Sequence, residues 1–218
     1  MIENYKAVYE GAEAEIIEKK SRFIATVFPV ESEEQAIALI EATKKKYWNA
    51  NHNCFAYIIG KNQEIQRCSD DGEPSQTAGR PMLDVLLLEG IHNTLVIVTR
   101  YFGGTLLGTG GLVRAYSKAV QEGLANSLIA NKCLATKLCI ETDYNGIGKI
   151  QYLLGQRKIN TLSSEYTDRV EITVLVPISE KEGLIKAIIE ATNGKAFLEE
   201  LEDIYFAIIK DEVICFVD

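Results

Sequence analysis

The 218-residue chain is 47% hydrophobic and 25% charged, the composition of an ordinary soluble globular protein with a buried core in one large or two small domains. No apolar run approaches the roughly 20 residues of a membrane span, and the opening MIENYKAVYE lacks the basic and apolar regions of a signal peptide, so the expected address is the cytoplasm, with no membrane partner. A formal net charge of -8 and a pI near 5.0 disfavour broad nonspecific binding to nucleic acid.

In chain order, residues 12 to 30 read as two strands, AEIIE and RFIATVFPV, joined in a hairpin by Lys19, Lys20 and Ser21. Ser32 and Gln35 make a capping-box pair, and Glu33 and Glu34 suit the positive end of a helix. Ala36, Ile40, Thr43 and Tyr47 then repeat at helical spacing, so residues 32 to 47 are expected to be a helix. HNCFAYIIG and EIQRCS form two more strands around the turn GKNQ, before the polar loop DDGEPSQTAG. A helix opens near Thr77, because Pro81 is tolerated in a first turn, and Gly90 is placed to end it. TLVIVTRYF is nearly continuously apolar, as expected of a central strand, and Val113, Tyr116, Val120 and Leu124 mark one face of a helix over residues 111 to 128.

After ANKC the pattern changes to strand 134–142, helix 144–158, strand 161–166, strand 170–177, helix 179–192 and strand 196–206, which is the βαββαβ order of a ferredoxin-like split motif. Ser179 with Glu182 reads as a capping box, Asn193 and Gly194 end that helix, and Thr167 and Asp168 suit a hairpin turn. DEVICFVD pairs with IYFAIIK as a last hairpin separated by Asp211 and Glu212. The expected class is therefore α+β in two domains, residues 1 to 132 and 133 to 218. The second carries most of the acidity, with nine basic residues against fifteen acidic ones. The five cysteines are scattered without CxxC spacing, which argues against a disulfide framework or a zinc site and leaves most of them as expected buried thiols.

RYFGGTLLGTGG, residues 100 to 111, links the apolar strand to the following helix. It matches neither GxGxxG, whose last glycine is replaced by Val113, nor the P-loop, since no Lys follows, so no nucleotide cofactor of those types is expected. Two readings remain. Backbone amides at the helix start, bracketed by Arg100 and Arg114, bind an anion. Alternatively the glycines are architectural, with Gly103 and Gly104 supplying positive φ and Gly110 and Gly111 permitting close packing.

Asp70, Asp71 and Glu73 in the preceding loop suit four roles: a cation site, paired carboxylates, solvation of the loop, or ion pairs with Arg80, Arg100 or Arg114 that lock the two loops together. The last is the most economical, and no metal is expected. His52 and Cys54 share one strand face, which fits a hydrogen-bonded His beside a packed Cys better than a base beside its nucleophile. His92 follows a helix end and is assigned a structural role. Lys44, Lys45 and Lys46 before Tyr47 and Trp48 fit either RNA contact or a cation-favoured helix C-terminus.

The blocks DDGEPSQTAGRPMLDVL and VIVTRYFGGTLLGTGGLVRAY resemble the IMPACT family and its bacterial YigZ-like members, and the resemblance extends over the whole chain. It implies an N-terminal domain similar to ribosomal-protein domain-2-like and GHMP-kinase α/β sandwiches, and a C-terminal ferredoxin-like domain similar to a module of elongation factor G. The family motif falls on His52, Asp70, Asp71, Gly72, Glu73, Pro74, Thr77, Gly79, Arg80 and Pro81, then on Arg100, Tyr101, Phe102, Gly103, Gly104, Gly108, Gly110, Gly111 and Arg114, and supplies no assigned catalytic residue or cofactor. Gln76 stands where the family usually has glycine, so positive φ is less accessible there. In eukaryotes the family name belongs to a regulator of translation. The resemblance therefore implies a translation-associated binding role, with RNA, the ribosome or a translation factor as partner. The alternative is an enzyme acting on a phosphorylated or otherwise anionic small molecule held at the glycine-rich segment.

Overall fold

The computed structural model describes residues 2–216. The chain divides into two compact units, one formed by Tyr5–Asn131 and the other by residues up to Asn4 together with those from Lys132 onward.

The larger unit opens with β1 (Asn4–Glu10), a strand the sequence reading left unassigned, whose residues Lys6 and Ala7 pair in parallel with the two-residue β6 (Ile91–His92). Its main sheet has five strands in the order β2 (Glu13–Glu18), β3 (Ser21–Pro29), β7 (Thr94–Tyr101), β4 (His52–Ile59) and β5 (Ile65–Ser69), all antiparallel. One face packs on α2 (Gly79–Glu89) and α3 (Thr109–Asn126), burying Phe23, Cys54 and Val98 against Met82, Leu86 and Tyr116. The other face buries Tyr57, Leu95 and Ile97 against Ala36 and Ile40 of α1 (Glu33–Lys46). β7 is the central strand and is covered on both sides, which is why its sequence is apolar without alternation.

Local chemistry places the ends of these elements. At α1 the Gln35 amide donates to Ser32 Oγ at 3.2 Å, and the Glu31 amide donates to Gln35 Oε1 at 2.8 Å. Gly90 ends α2 in the left-handed conformation at φ 64°. The β2–β3 connection is Lys19 and Lys20, both at positive φ (45° and 69°), the pattern of a tight two-residue hairpin.

The second unit carries β8 (Leu128–Thr142), α4 (Ile147–Gln156), β9 (Asn160–Tyr166), β10 (Val170–Pro177), α5 (Ile178–Thr192) and β11 (Phe197–Ile209). The strands run β9-β10-β8-β11, all antiparallel, the topology of the ferredoxin-like split motif. One face buries Leu138, Ile140, Ile172 and Val174 against Ile150 and Leu154 of α4 and Leu184 and Ile188 of α5. β12 (Glu212–Phe216) adds an edge strand through a turn of Lys210 and Asp211, one residue earlier than expected; its expected continuation through residues 217 and 218 lies outside the described residues.

Three local expectations are corrected. Ser179 does not cap α5: the helix starts at Ile178 directly after Pro177, so Ser179 already lies inside it, with no side-chain cap bond. The strand expected from residue 134 begins at Leu128, so ANKC lies inside β8. Of the five cysteines only Cys54 is buried; Cys68 is exposed, and Cys133, Cys139 and Cys215 are half-buried.

Candidate functional site

In the sheet register Arg100 lies between Phe23 of β3 and His52 of β4, on the face that packs against α3. Strand alternation turns Tyr101 to the opposite face, where its hydroxyl donates to Asn49 Oδ1 at 2.9 Å and Arg22 lies 5.6 Å from its ring. The Arg100 guanidinium sits 5.3 Å from the Phe23 ring and 5.7 Å from the Phe102 ring, and only 5% of the residue is exposed. Its Nη1 donates to Glu73 Oε1 at 2.5 Å, the same oxygen that accepts from Tyr116 Oη at 2.7 Å. Among the described residues the Arg100 Nε is sealed from solvent without an acceptor.

The acidic loop delivers Glu73 to this position because Asp70 and Asp71 hold the loop itself. Asp70 Oδ1 accepts from the Ala78 and Gly79 amides at 3.0 and 2.8 Å, and its Oδ2 accepts from Gln76 at 2.8 Å, so it caps the start of α2 from eight and nine residues away. Asp71 takes the Asn53 amide at 2.7 Å and Lys44 Nζ at 2.9 Å. The expectation that the loop carboxylates pair with loop arginines therefore holds for Glu73 with Arg100, whereas Asp70 and Asp71 serve backbone amides and a lysine. Gln76 adopts φ 62°, correcting the expectation that it would resist positive φ; its bond to Asp70 offsets the cost. Among the described residues no cluster of His, Cys, Asp and Glu has the makings of a metal site.

His52 points Nδ1 at the Asp71 carbonyl oxygen at 2.9 Å. A carbonyl only accepts, so Nδ1 carries a proton, and in the neutral imidazole the lone pair lies on Nε2, 3.9 Å from Glu73 Oε1. Cys54, on the same strand face, is packed: its Sγ lies 3.0 Å from the Asp70 carbonyl oxygen and 3.4 Å from Tyr116 Oη. Burial, more than any neighbouring charge, pushes its thiol up to about 12, and burial likewise raises the Tyr116 hydroxyl. His52 is thus the hydrogen-bonded histidine expected, and Cys54 the packed thiol.

The glycine roles are partly exchanged relative to expectation. Gly103 has no positive φ; instead a Cβ there would stand 2.1 Å from the Lys20 carbonyl carbon, so this glycine exists to let the segment lie against the β2–β3 turn. Ser21 Oγ accepts the Gly103 amide at 3.1 Å and fixes that contact. Positive φ belongs to Gly104 (82°) and Gly108 (74°), and Gly108 starts α3 without a side-chain cap. The expected close packing holds for Gly111, where a Cβ would stand 3.0 Å from Leu107 Cβ, but not for Gly110, where the nearest atom is 3.8 Å away on Arg114.

These elements enclose a cavity of about 500 Å³. Its polar lining is Asn51, His52, Glu73, Arg100 and Thr109; its apolar lining is Pro74, Phe102, Leu106, Leu107 and Leu112, with Gly72 and Gly108 at the edges. A second cavity of about 230 Å³ shares Leu107 and is lined by Lys19, Arg114, Lys118 and Glu18 beside Gly111. Arg100 and Arg114 therefore do not bracket one opening, as the sequence suggested, but line two. Arg80 lines neither, being exposed on α2 and paired with Asp84 at 2.7 Å. Sequence reasoning missed Asn51, Leu106 and Thr109 as lining residues, and took Tyr116 only as a core position. The one signal available was the pair of exposed large apolar residues, Phe102 and Leu106, inside a glycine-rich segment. The lysines in the last turn of α1 are mostly engaged in structure, Lys44 with Asp71 and Lys46 with Glu13, each at 2.9 Å.

The model of the Impact N-terminal domain matches residues 19–124, a range that holds every residue of both cavities except Ile16 and Glu18, and that of a domain of unknown function, DUF1949, matches residues 140–195. "IMPACT family member YvyE" of Bacillus subtilis is 42% identical over 205 residues, covering 94% of each chain. The chain belongs to the IMPACT family. "IMPACT family member YigZ" of Escherichia coli is 34% identical over 187 residues, 85% of this chain and 92% of that one, whereas "Protein IMPACT" of Mus musculus is 37% identical over 98 residues, 30% of its length. A solved structure described as "Crystal structure of an hypothetical protein" superposes with a TM-score of 0.59 at 31% identity, over 93% of this chain and 99% of that one. The match thus covers most of this chain for the bacterial relatives and 43% of it for the animal protein. Among the described residues, no helix of this IMPACT-family chain is long and apolar enough to cross a membrane.

Proposed function

We propose that this protein is a translation-associated binding protein that contacts RNA, on or off the ribosome, through the two neighbouring cavities at the start of α3. Membership in the family that takes its name from a regulator of translation supports the translation-related role. One observation supports the RNA contact. An apolar, partly open cavity with a polar floor adjoins a cluster of Lys19, Arg114 and Lys118, in which Arg114 and Lys118 form no ion pair among the described residues. Bases enter apolar pockets and phosphates follow cations, so the pairing suits single-stranded RNA better than a duplex. The overall acidity of the chain then confines binding to this face.

Cosedimentation with ribosomes and ultraviolet crosslinking to RNA at low salt test the reading. Binding should weaken as salt rises, and the variant Arg114→Glu/Lys118→Glu should lose it. Absence of both signals in the wild-type protein would overturn it. A second reading has its own support in His52, whose Nε2 lone pair beside Glu73 is placed as a general base for an anionic small-molecule substrate. It predicts turnover that His52→Gln abolishes while RNA crosslinking persists.

A further inference from the structure

We propose that the cavity between Gly72 and α3 is a guanine site, a reading that rests on the binding role above and specifies what the pocket takes. The floor decides it. Every contact of the Glu73 carboxylate runs through Oε1, which accepts from Arg100 Nη1 and Tyr116 Oη. Among the described residues Oε2 has no hydrogen bond, yet unlike Arg100 Nε it is not sealed, so it opens onto the cavity that Glu73 lines. His52 adds a second acceptor in its neutral form, because its Nδ1 proton is committed to the Asp71 carbonyl and the Nε2 lone pair then lies beside the carboxylate. Two neighbouring acceptors at a buried floor call for a ligand edge with two neighbouring donors.

Charge narrows the class further. Glu73 and Arg100 neutralise one another, so a cationic head is opposed by the guanidinium and an anionic head by the carboxylate, and a neutral donor edge suffers neither penalty. Guanine carries N1–H and the 2-amino group side by side. Adenine and cytosine set an acceptor next to their amino group, and the N3–H of uracil lies between carbonyls, so each would face a floor acceptor with a lone pair. Phe102, half exposed, and Leu107 and Leu112 supply apolar walls for a flat ring, and about 500 Å³ accommodates a nucleotide. Thr109, exposed at the first position of the uncapped α3, lies at the rim, where helix amides receive a phosphate.

Free guanine nucleotides and an unpaired guanine in an RNA strand share this chemistry. The full chain, labelled with ¹⁵N, is titrated with guanosine, GMP, IMP and AMP, and with short single-stranded RNAs containing or lacking one guanine, while calorimetry gives the affinities. GMP should shift the Gly72, Phe102 and Thr109 amides and bind about ten-fold or more tightly than AMP; IMP, which lacks only the 2-amino group, should lose about ten-fold against GMP. Thr109→Glu, whose carboxylate suits a helix N-terminus, should weaken GMP several-fold more than guanosine. Discrimination confined to the RNA pair assigns the site to RNA, and equal discrimination in both series assigns it to the base alone. Equal affinity for GMP, IMP and AMP, together with RNA binding indifferent to guanine, would overturn the guanine site while leaving the RNA-binding role intact; loss of all RNA and ribosome binding overturns both.

Discussion

The Glu73–Arg100 pair gives the sharpest quantitative expectation. Its side chains are 3% and 6% exposed, Tyr116 shares the same carboxylate oxygen, and the sheet, the acidic loop and α3 all converge on it. Removing one partner leaves a buried charge unpaired, which costs about 3 to 5 kcal/mol. In a unit of this size each kcal/mol lowers the melting temperature by roughly 3 to 5 °C, so Arg100→Met and Glu73→Gln should each lose about 10 to 20 °C. Glu73→Gln/Arg100→Met removes both charges and keeps an amide oxygen for Tyr116, so the double variant should regain about 2 kcal/mol or more of the summed loss. Thermal and urea melts followed by circular dichroism, combined as a double-mutant cycle, measure this. Additive losses, or an Arg100→Met cost under about 1 kcal/mol, would refute the view that the pair is coupled and desolvated.

Four further outcomes follow from particular contacts. Gly103→Ala should destabilise by about 1 to 3 kcal/mol, because its Cβ meets the Lys20 and Ser21 backbone, which cannot yield as a side-chain tip would; urea midpoints report it. Asp70→Ala should cost about 1 to 2 kcal/mol by freeing the Gln76, Ala78 and Gly79 amides, and Asp70→Asn should recover part of the loss, since it keeps one acceptor oxygen. Iodoacetamide at pH 8 should label exposed Cys68 well before Cys54, as peptide mass spectrometry would show. Because folded Cys54 holds its proton up to about 12, chiefly through burial, its contribution is complete below the ordinary thiol value near 9.0 and is lost as pH rises towards 12. The stability difference between wild type and Cys54→Ala should therefore shrink from pH 8 to pH 10.5 in urea melts.

Much of the architecture was legible because it is written in local patterns. Unbroken apolar residues marked β7 as central, Ser32 and Gln35 fixed the start of α1, and alternating and helical periods gave the βαββαβ order of the second unit. Local patterns also misled where a neighbour decides. Ser179 had the right spacing for a cap but stands one residue inside a helix that Pro177 starts, and Gln76 took a conformation that only its bond to Asp70 makes affordable.

The amino-acid sequence by itself determined most of the elements, their order and the two motif blocks around the glycine-rich segment, but not the short β1–β6 pair. Only the tertiary structure decided which of those motif residues meet. Arg100, Glu73 and His52 come together through the β4–β7 register and a loop that Asp70 and Asp71 pin from within, while Tyr101, Arg80 and Arg114 point elsewhere. Gly103 is shaped by a turn more than eighty residues earlier. The reason is physical: helix and strand periods depend on neighbours within a few residues, whereas a cavity floor depends on long-range register and burial, which composition and spacing do not encode.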